Sequence, residues 1–509
     1  MRWKIVLEGT DEFGSAHRSE MTFDKDLKRV SAGEIGLSVE DGKAIMAHLQ
    51  QVVVTQQCEA YVLTRRFCMD CERFRRIKGY SKRKIRTVFG CVEVRNPRIM
   101  NCQRCLPAFC AAWTVLSDIC PDQATPELME RSARLGSLLP YRKAGEVMAE
   151  FLPIKPTESF VTLRHRTLKL GELLDQKARE RAWFEPPSTA ERRQMELDLP
   201  NDPEREFVVS IDTAHVRTSQ AESGRNFEIV VARCGRGSRP GRYFTTADTS
   251  KRELQSRTLQ ALQSEGYIGR GELTVLSDGA EIMKRLPKAL PQPTTHIIDW
   301  FHIAMKIQPL QQIADHVARW SKAGNSEMAH VDADVRSLKW KLWHGQIDRA
   351  LEQLETMTSD LAKLRERGDL SAARLLHLAQ PFLTYVRSNK RAIINYGARY
   401  RSGRRIATAL AESGVNSLVA RRMVKKQQMQ WSKRGAHLLL QVRPPFSTAI
   451  FGNASCTSRR NKPIDRGSRG CSNRPHPCSR RPNTPANLTV PPRRFIAPSA
   501  TAASNARRV

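Results

Sequence analysis

The chain has 509 residues, with 84 Lys and Arg against 52 Asp and Glu, a formal net charge of +32 and a pI near 10.2. That length supports several cores, and that charge predicts a polyanionic partner. The opening MRWKIVLEGTDEFG lacks a signal peptide's apolar core, and no apolar run approaches a membrane span, so a cytoplasmic protein with no membrane role is expected; its twelve cysteines are then not a disulfide framework.

Residues 1–66 read as a lead-in: a strand (WKIVLEG), a polar linker, and a helix from about Ser38 to Gln56. Residues 67–122 are punctuated by Cys68-x2-Cys71 and Cys102-x2-Cys105, thirty residues apart. Two such pairs supply the four thiolates of a structural Zn2+ site. The segment between them reads as a β-hairpin with Asn96-Pro97 near its turn, which suits a zinc ribbon. The alternative is reduced cysteines packed as small hydrophobes, the expected state of Cys58, Cys91, Cys110, Cys120 and Cys234. The basic run RFRRIKGYSKRKIR in the same segment suits either phosphate contacts or a solvated face.

Residues 123–181 give three helical patterns in the cadence of a helix-turn-helix, with Arg164, His165, Arg166 and Lys169 on the candidate recognition helix. A plain three-helix packing module has the same pattern. After a Pro-containing linker, residues 203–306 read as three strands of a hairpin type (207–213, NFEIVVARC, RYFTTADT). A helix near 251–265, a strand at 272–277, a short helix and a strand at THIID follow. That order implies a mixed sheet with helices on its faces, an α/β architecture. From Phe301 to Gln441 nearly everything is helical.

From Pro444 onward the character changes: 10 of the 27 prolines and 12 Lys and Arg face a single Asp465, without apolar periodicity. Residues 444–509 are expected to be a disordered basic tail. They read equally as the product of a one-nucleotide frameshift, in which case the helix stopping at Arg443 continues in the neighbouring frame.

Three acids stand out. Asp212 and Asp278 close the β-branched runs Phe207–Ile211 and Leu273–Leu276, and Glu412 lies in a helical stretch. A carboxylate at a strand end is costly unless paired, solvated or bound to a cation, although a lone Asp there is commonly a turn residue. Two strand-end aspartates and a helix glutamate supply the hard oxygen ligands of a two-Mg2+ phosphoryl-transfer site, with Mn2+ an admissible substitute. Asp299 and His302 form a D-x2-H pair where a strand passes into a helix. They read either as supports of the metal ligands or as a helix cap and a core histidine. Beyond Glu412 come Arg421, Arg422, Lys425 and Lys426, whose spacings of three and four residues align part of the set along one helical face suited to a DNA backbone.

The string SIDTAHVR…LSDGAEIMKRLP…HIIDWFHIAMKIQ…ALAESGVNSLVARRMVKKQQMQW resembles bacterial insertion-sequence transposases of the DDE type, in the ISKra group, and also the mutator-like superfamily with its D-x2-H pair. The similarity covers roughly residues 60–443. It implies a ribonuclease-H-like catalytic core (203–306), an all-helical insertion (307–400) containing Trp340 and Trp343, and a helix (401–443) bearing the third acid. On this resemblance Asp212, Asp278 and Glu412 are the catalytic triad. The expected activity is cleavage of double-stranded DNA at terminal inverted repeats and strand transfer into target DNA. No covalent protein–DNA intermediate is expected, and a homo-oligomer on paired ends, associated with the nucleoid, follows from the same likeness. A decayed DNA-binding copy without catalysis and a structure-specific ribonuclease-H-like nuclease are the alternatives.

Overall fold

The computed structural model describes residues 1–10, 16–25, 35–102, 104–105, 111–154, 159–180, 206–219, 224–237, 241–269, 271–291, 293–324, 328–423 and 429–443. Cys110, Lys425, Lys426 and the expected basic tail lie outside them.

The lead-in is a strand pair, where the sequence suggested one strand and a linker. β1 (Arg2–Thr10) pairs antiparallel with β2 (Ala16–Asp24) from Arg2–Asp24 to Thr10–Ala16. Both strands alternate exposed and half-buried residues, a one-sided pattern that the polar composition of AHRSEMTFD concealed. The helix Val39–Arg66 follows, ten residues longer than its apolar pattern suggested. A capping box starts it: Asp41 N–H donates to Ser38 Oγ at 3.1 Å, and Ser38 N–H to the Asp41 carboxylate at 2.8 Å.

Next come β3 (Phe67–Cys68), β4 (Arg73–Phe74), β5 (Ile77–Thr87), β6 (Gly90–Met100) and β7 (Ala112–Thr114), the last three forming one antiparallel sheet. The β5–β6 turn is Val88-Phe89, between the paired Thr87 and Gly90, so the placement of the turn at Asn96-Pro97 is corrected. Gly90, at φ +121°, provides the backbone freedom the tight turn needs. Pro97 lies within β6 opposite Tyr80, before β7 pairing begins at Arg98, so its missing N–H leaves no ladder bond unmade on that side. Val54 and Cys58 of the long helix pack on Ile85, Val92 and Val94.

Helices Pro126–Leu138, Tyr141–Phe151 and Phe160–Glu180 make the next module. A five-stranded mixed sheet follows: β8 (Phe207–Arg217), β9 (Asn226–Arg236), β10 (Arg242–Thr246), β11 (Leu273–Ser277) and β12 (Thr294–Ile298). The spatial order is β10-β9-β8-β11-β12. β9 runs antiparallel to both β8 and β10, and β11 runs parallel to both β8 and β12.

Strand alternation sorts the side chains. Phe207, Val209, Ile211, Leu273 and Val275 join Leu254 and Leu262 of helix Lys251–Ser264 and Met283 of helix Glu281–Ala289 on one face. Val208, Leu276, Ile297 and Ile298 face the helical array Trp300–Gly324, Val331–Trp343, Ile347–Glu366, Leu370–Ser388 and Tyr396–Arg401. The first helix of that array runs unbroken through position 307, so the array grows directly out of β12. Val216, Ile229 and Val231 are covered by Leu418 and Val419 of the turn Val415–Ala420 and by Leu439 and Leu440 of helix Lys433–Val442.

Candidate active site

The parallel register places Leu273 beside Phe207 and Leu276 beside Ser210. Extending it two places sets Asp278 beside Asp212, on the face that also receives the helical array. Asp278 is fixed by its turn: Ala280 N–H donates to Asp278 Oδ1 at 2.9 Å, and the Tyr385 hydroxyl to the Asp278 carbonyl at 2.8 Å. Asp299 follows β12 and is wholly buried. The Phe301 N–H donates to its Oδ1 at 2.8 Å, while the Thr408 hydroxyl and His302 Nδ1 (3.0 Å) both meet its Oδ2.

Glu412 comes from the short helix Ala409–Gly414. The Tyr243 hydroxyl donates to the Leu410 carbonyl at 2.9 Å and ties that helix to β10. Gly414 allows the approach, since a Cβ there would meet the Tyr243 ring at 2.6 Å. His302 Nε2 lies 3.9 Å from Glu412 Oε1. One sheet edge therefore gathers four carboxylates and one imidazole. Within it the compact grouping is Asp299, His302 and Glu412, whose ligand atoms all lie within 4.8 Å of one another. Glu412 is common to this grouping and to the set expected from the sequence, Asp212, Asp278 and Glu412.

Electrostatics separates their roles. Burial pushes the Asp212 carboxyl above its ordinary range, and the charges of Asp278 and Glu412 push the same way against the Thr213 N–H and His302. Asp299 is also penalised by burial, but the hydrogen bonds from His302, Thr408 and the Phe301 amide outweigh it and hold its carboxyl below the usual range. The Asp299 hydrogen bond raises His302, with Asp278 and Glu412 adding to it. Asp299 has thus committed its oxygens to protein donors. Asp212, Asp278 and Glu412 have no Lys or Arg ion pair among the described residues. Unpaired carboxylates at one place are suited to a divalent cation with hard oxygen preference.

Cys68, Cys71, Cys102 and Cys105 also converge, their sulfurs all within 4.8 Å of one another. The Cys68–Cys105 and Cys71–Cys102 separations are 3.9 and 3.4 Å, close to the edge of about 3.8 Å that a tetrahedron with ~2.3 Å Zn–S bonds requires. Backbone amides of Asp70 and Cys71 favour the Cys68 thiolate. The Cys105 amide, the Cys71 side chain and the Arg104 amide lower Cys102 to about 6. These four residues can hold Zn2+. Cys58, Cys120 and Cys234 are buried, as small core residues are, and Cys91 is exposed.

The basic candidates divide. Arg164 and His165 are exposed on the outer face of helix Phe160–Glu180. Lys169 pairs with Asp122. Arg166 turns inward, donating to Ser132 Oγ at 3.4 Å, because its position shares the buried stripe of Leu163 and Leu170. Past Glu412 the expected continuous basic helix is corrected: the helical path stops at Ala420. Arg421 is exposed, but Arg422 is buried, its guanidinium 5.1 Å from the Tyr141 ring centre and 4.9 Å from that of Trp431. The inner positions of Arg166 and Arg422 leave them out of reach of a surface ligand. Sequence reasoning missed Thr408 and Tyr385, which support Asp299 and Asp278 across 109 and 107 residues, separations that leave no local signal.

No protein-family model matches the sequence, and no curated protein matches it. Among solved structures the chain is similar to the Drosophila P element transposase strand transfer complex, at 12% identity and a TM-score of 0.30, over 64% of this chain and 93% of that one. A likeness this slight fixes neither the fold nor the activity. No helix among the described residues is long and apolar enough to cross a membrane.

Proposed function

We propose that this protein is a DNA transposase of the DDE type, in the ISKra group, with a ribonuclease-H-like catalytic sheet. The observation that carries the reading is the placement of Asp212 on β8 and Asp278 just past the end of the adjacent parallel β11, with Glu412 brought over the same end of the sheet and no Lys or Arg among the described residues paired to any of them. These three carboxylates would hold two Mg2+ ions, which supply an activated water or 3′-hydroxyl and stabilise the leaving oxygen of a phosphodiester.

The rest follows from the protein's own groups. Asp299 accepts a proton-bearing Nδ1 from His302, which sets the tautomer and leaves Nε2 facing Glu412. His302 in that place positions and hydrogen-bonds a phosphate oxygen. Tyr385 keeps its proton, because burial and the nearby Asp278 and Asp299 charges raise its pKa, and so it stays a donor to the Asp278 backbone. Arg164, His165 and Arg421, with the exposed side of the β5–β6 hairpin, where the Arg95 guanidinium lies 4.8 Å from the Tyr80 ring centre, would contact element-end DNA. The four-cysteine cluster would hold structural Zn2+.

The test is cleavage of a duplex carrying the inverted repeats that flank the gene, with Mg2+ present. Asp212→Ala is expected to abolish cleavage and spare DNA binding. Undiminished cleavage by that variant would sink the assignment.

A further inference from the structure

On the far side of Asp278 lies an open groove of about 910 Å3, floored by Thr294, Thr295 and His296 of β12. Its walls carry Lys284 and Lys288 from helix Glu281–Ala289 and Arg387, Lys390 and Arg391 from the end of the helical array. Three of these five cations are bridged to acids: Lys284 to Glu281, Arg387 to Glu355 and Lys390 to Asp348. The acids of those bridges are more than half exposed, so the pairs exchange readily for a phosphate. Lys288 and Arg391 are exposed and have no ion pair among the described residues.

A second observation joins the groove to the carboxylates. Asn389 lines it, is 4% exposed, and has no partner for its Oδ1 among the described residues. Its Nδ2 is committed to the Tyr385 carbonyl at 2.9 Å. That open acceptor lies against Gly279, where a Cβ would stand 3.0 Å from it, and Gly279 is the residue after Asp278. A buried acceptor without a protein partner is completed by a donor from water or a ligand. Among the described residues no Phe, Tyr or Trp ring lines the groove, so it offers no broad platform for stacked bases.

We infer that this groove holds the backbone of the DNA as it leaves the catalytic carboxylates, with the phosphates following Lys288 and Arg391 and a base amino group reaching Asn389. The inference rests on the proposal that the substrate is DNA. It gives the helical array a task, since Arg387, Asn389, Lys390 and Arg391 are supplied by the end of that array rather than by the sheet.

The experiment uses the full-length protein and a random-sequence duplex of about 30 bp, in EDTA so that no strand is cut. Affinity is measured against salt for the wild type, Lys288→Ala/Arg391→Ala and Lys288→Arg/Arg391→Lys. Losing two phosphate contacts is expected to flatten the slope of log K against log salt by about 1.8, and the charge-conserving pair is expected to keep the wild-type slope. An unchanged slope in the alanine pair overturns the groove. Both side chains are exposed, so a wild-type melting temperature is expected for each variant. If the wild type fails to cut any DNA with Mg2+, the catalytic reading falls while the slope result still decides the groove.

Discussion

Two acid clusters in this protein are built from the same ingredients and behave in opposite ways. In the first, Asp175 is buried between helices Phe160–Glu180, Lys251–Ser264 and Lys433–Val442, where it meets the Arg257 guanidinium and, at 3.0 Å, His437 Nε2. Burial alone would raise its pKa, but the His437 hydrogen bond and the Arg257 charge prevail and hold it at about 2. In the second, Asp212 is half-buried beside Asp278 and Glu412, and that burial, with their charges, pushes it up. The first cluster is complete without a ligand. The second holds a carboxylate whose ionised form the fold disfavours, an arrangement that is common at functional sites.

Breaking the paired cluster carries the largest expected effect on stability. Asp175→Asn leaves the Arg257 guanidinium, 5% exposed, with Glu253 as its remaining carboxylate partner and takes the anion from His437, and is expected to cost about 3 kcal/mol in urea unfolding. The wild-type carboxylate gives a matching acid signature. Its folded pKa of about 2 lies below the ordinary 3.8, so its contribution is complete above pH 3.8 and is lost as pH falls through 2. That contribution is about 2 kcal/mol.

His296 provides a third, intermediate case. Burial first and then the Lys284 charge depress it to about 4 from 6.5, so the unfolded chain takes up a proton that the folded one refuses. Stability is therefore expected to fall by about 3 kcal/mol as pH drops from 6.5 to 4. His296→Gln should flatten that slope in a pH series of thermal melts.

A smaller effect should come from the support of the second cluster. Asp299→Asn keeps the shape but no longer holds the His302 ring as an anion does, and is expected to slow Mg2+-dependent cleavage by ~10–100-fold with DNA affinity unchanged. The smallest is also the most discriminating. Asp212→Asn removes a carboxylate whose folded pKa is raised, whose cost appears as pH rises through that pKa; it should slightly raise the melting temperature at neutral pH without metal. Added Mg2+ should stabilise the wild type and not the variant. A fall in melting temperature for Asp212→Asn would show that the two clusters are alike after all.

Much of the second cluster was legible because its members sit where local pattern changes. Asp212 follows the run Phe-Val-Val-Ser-Ile of β8, Asp278 follows the last residue of β11, and Asp299 sits between strand and helix. Their adjacency was not carried by composition, since register is a property of the assembled sheet. The paired cluster was invisible, because Asp175, Arg257 and His437 are ordinary helix residues until the chain brings them together. Inward-turned cations failed for a related reason. Arg422 reads as a DNA contact by charge and spacing, but two rings, Tyr141 281 residues upstream and Trp431 nine residues downstream, decide where it points.

The seat of helix Lys433–Val442 has a consequence for synthesis. A Cβ on Gly171 would stand 2.1 Å from the Leu438 carbonyl, so these two helices lie in close contact. Asp175 and His437 are separated by 262 residues. At ~5–20 residues per second, the Gly171 face of the earlier helix leaves the ribosome roughly 13–52 s before its cover is made. During that interval Leu170 and Leu174, which later pack with Val442, form an unprotected apolar strip. The final assembly of this protein is therefore expected to be slow, late and sensitive to chaperone supply.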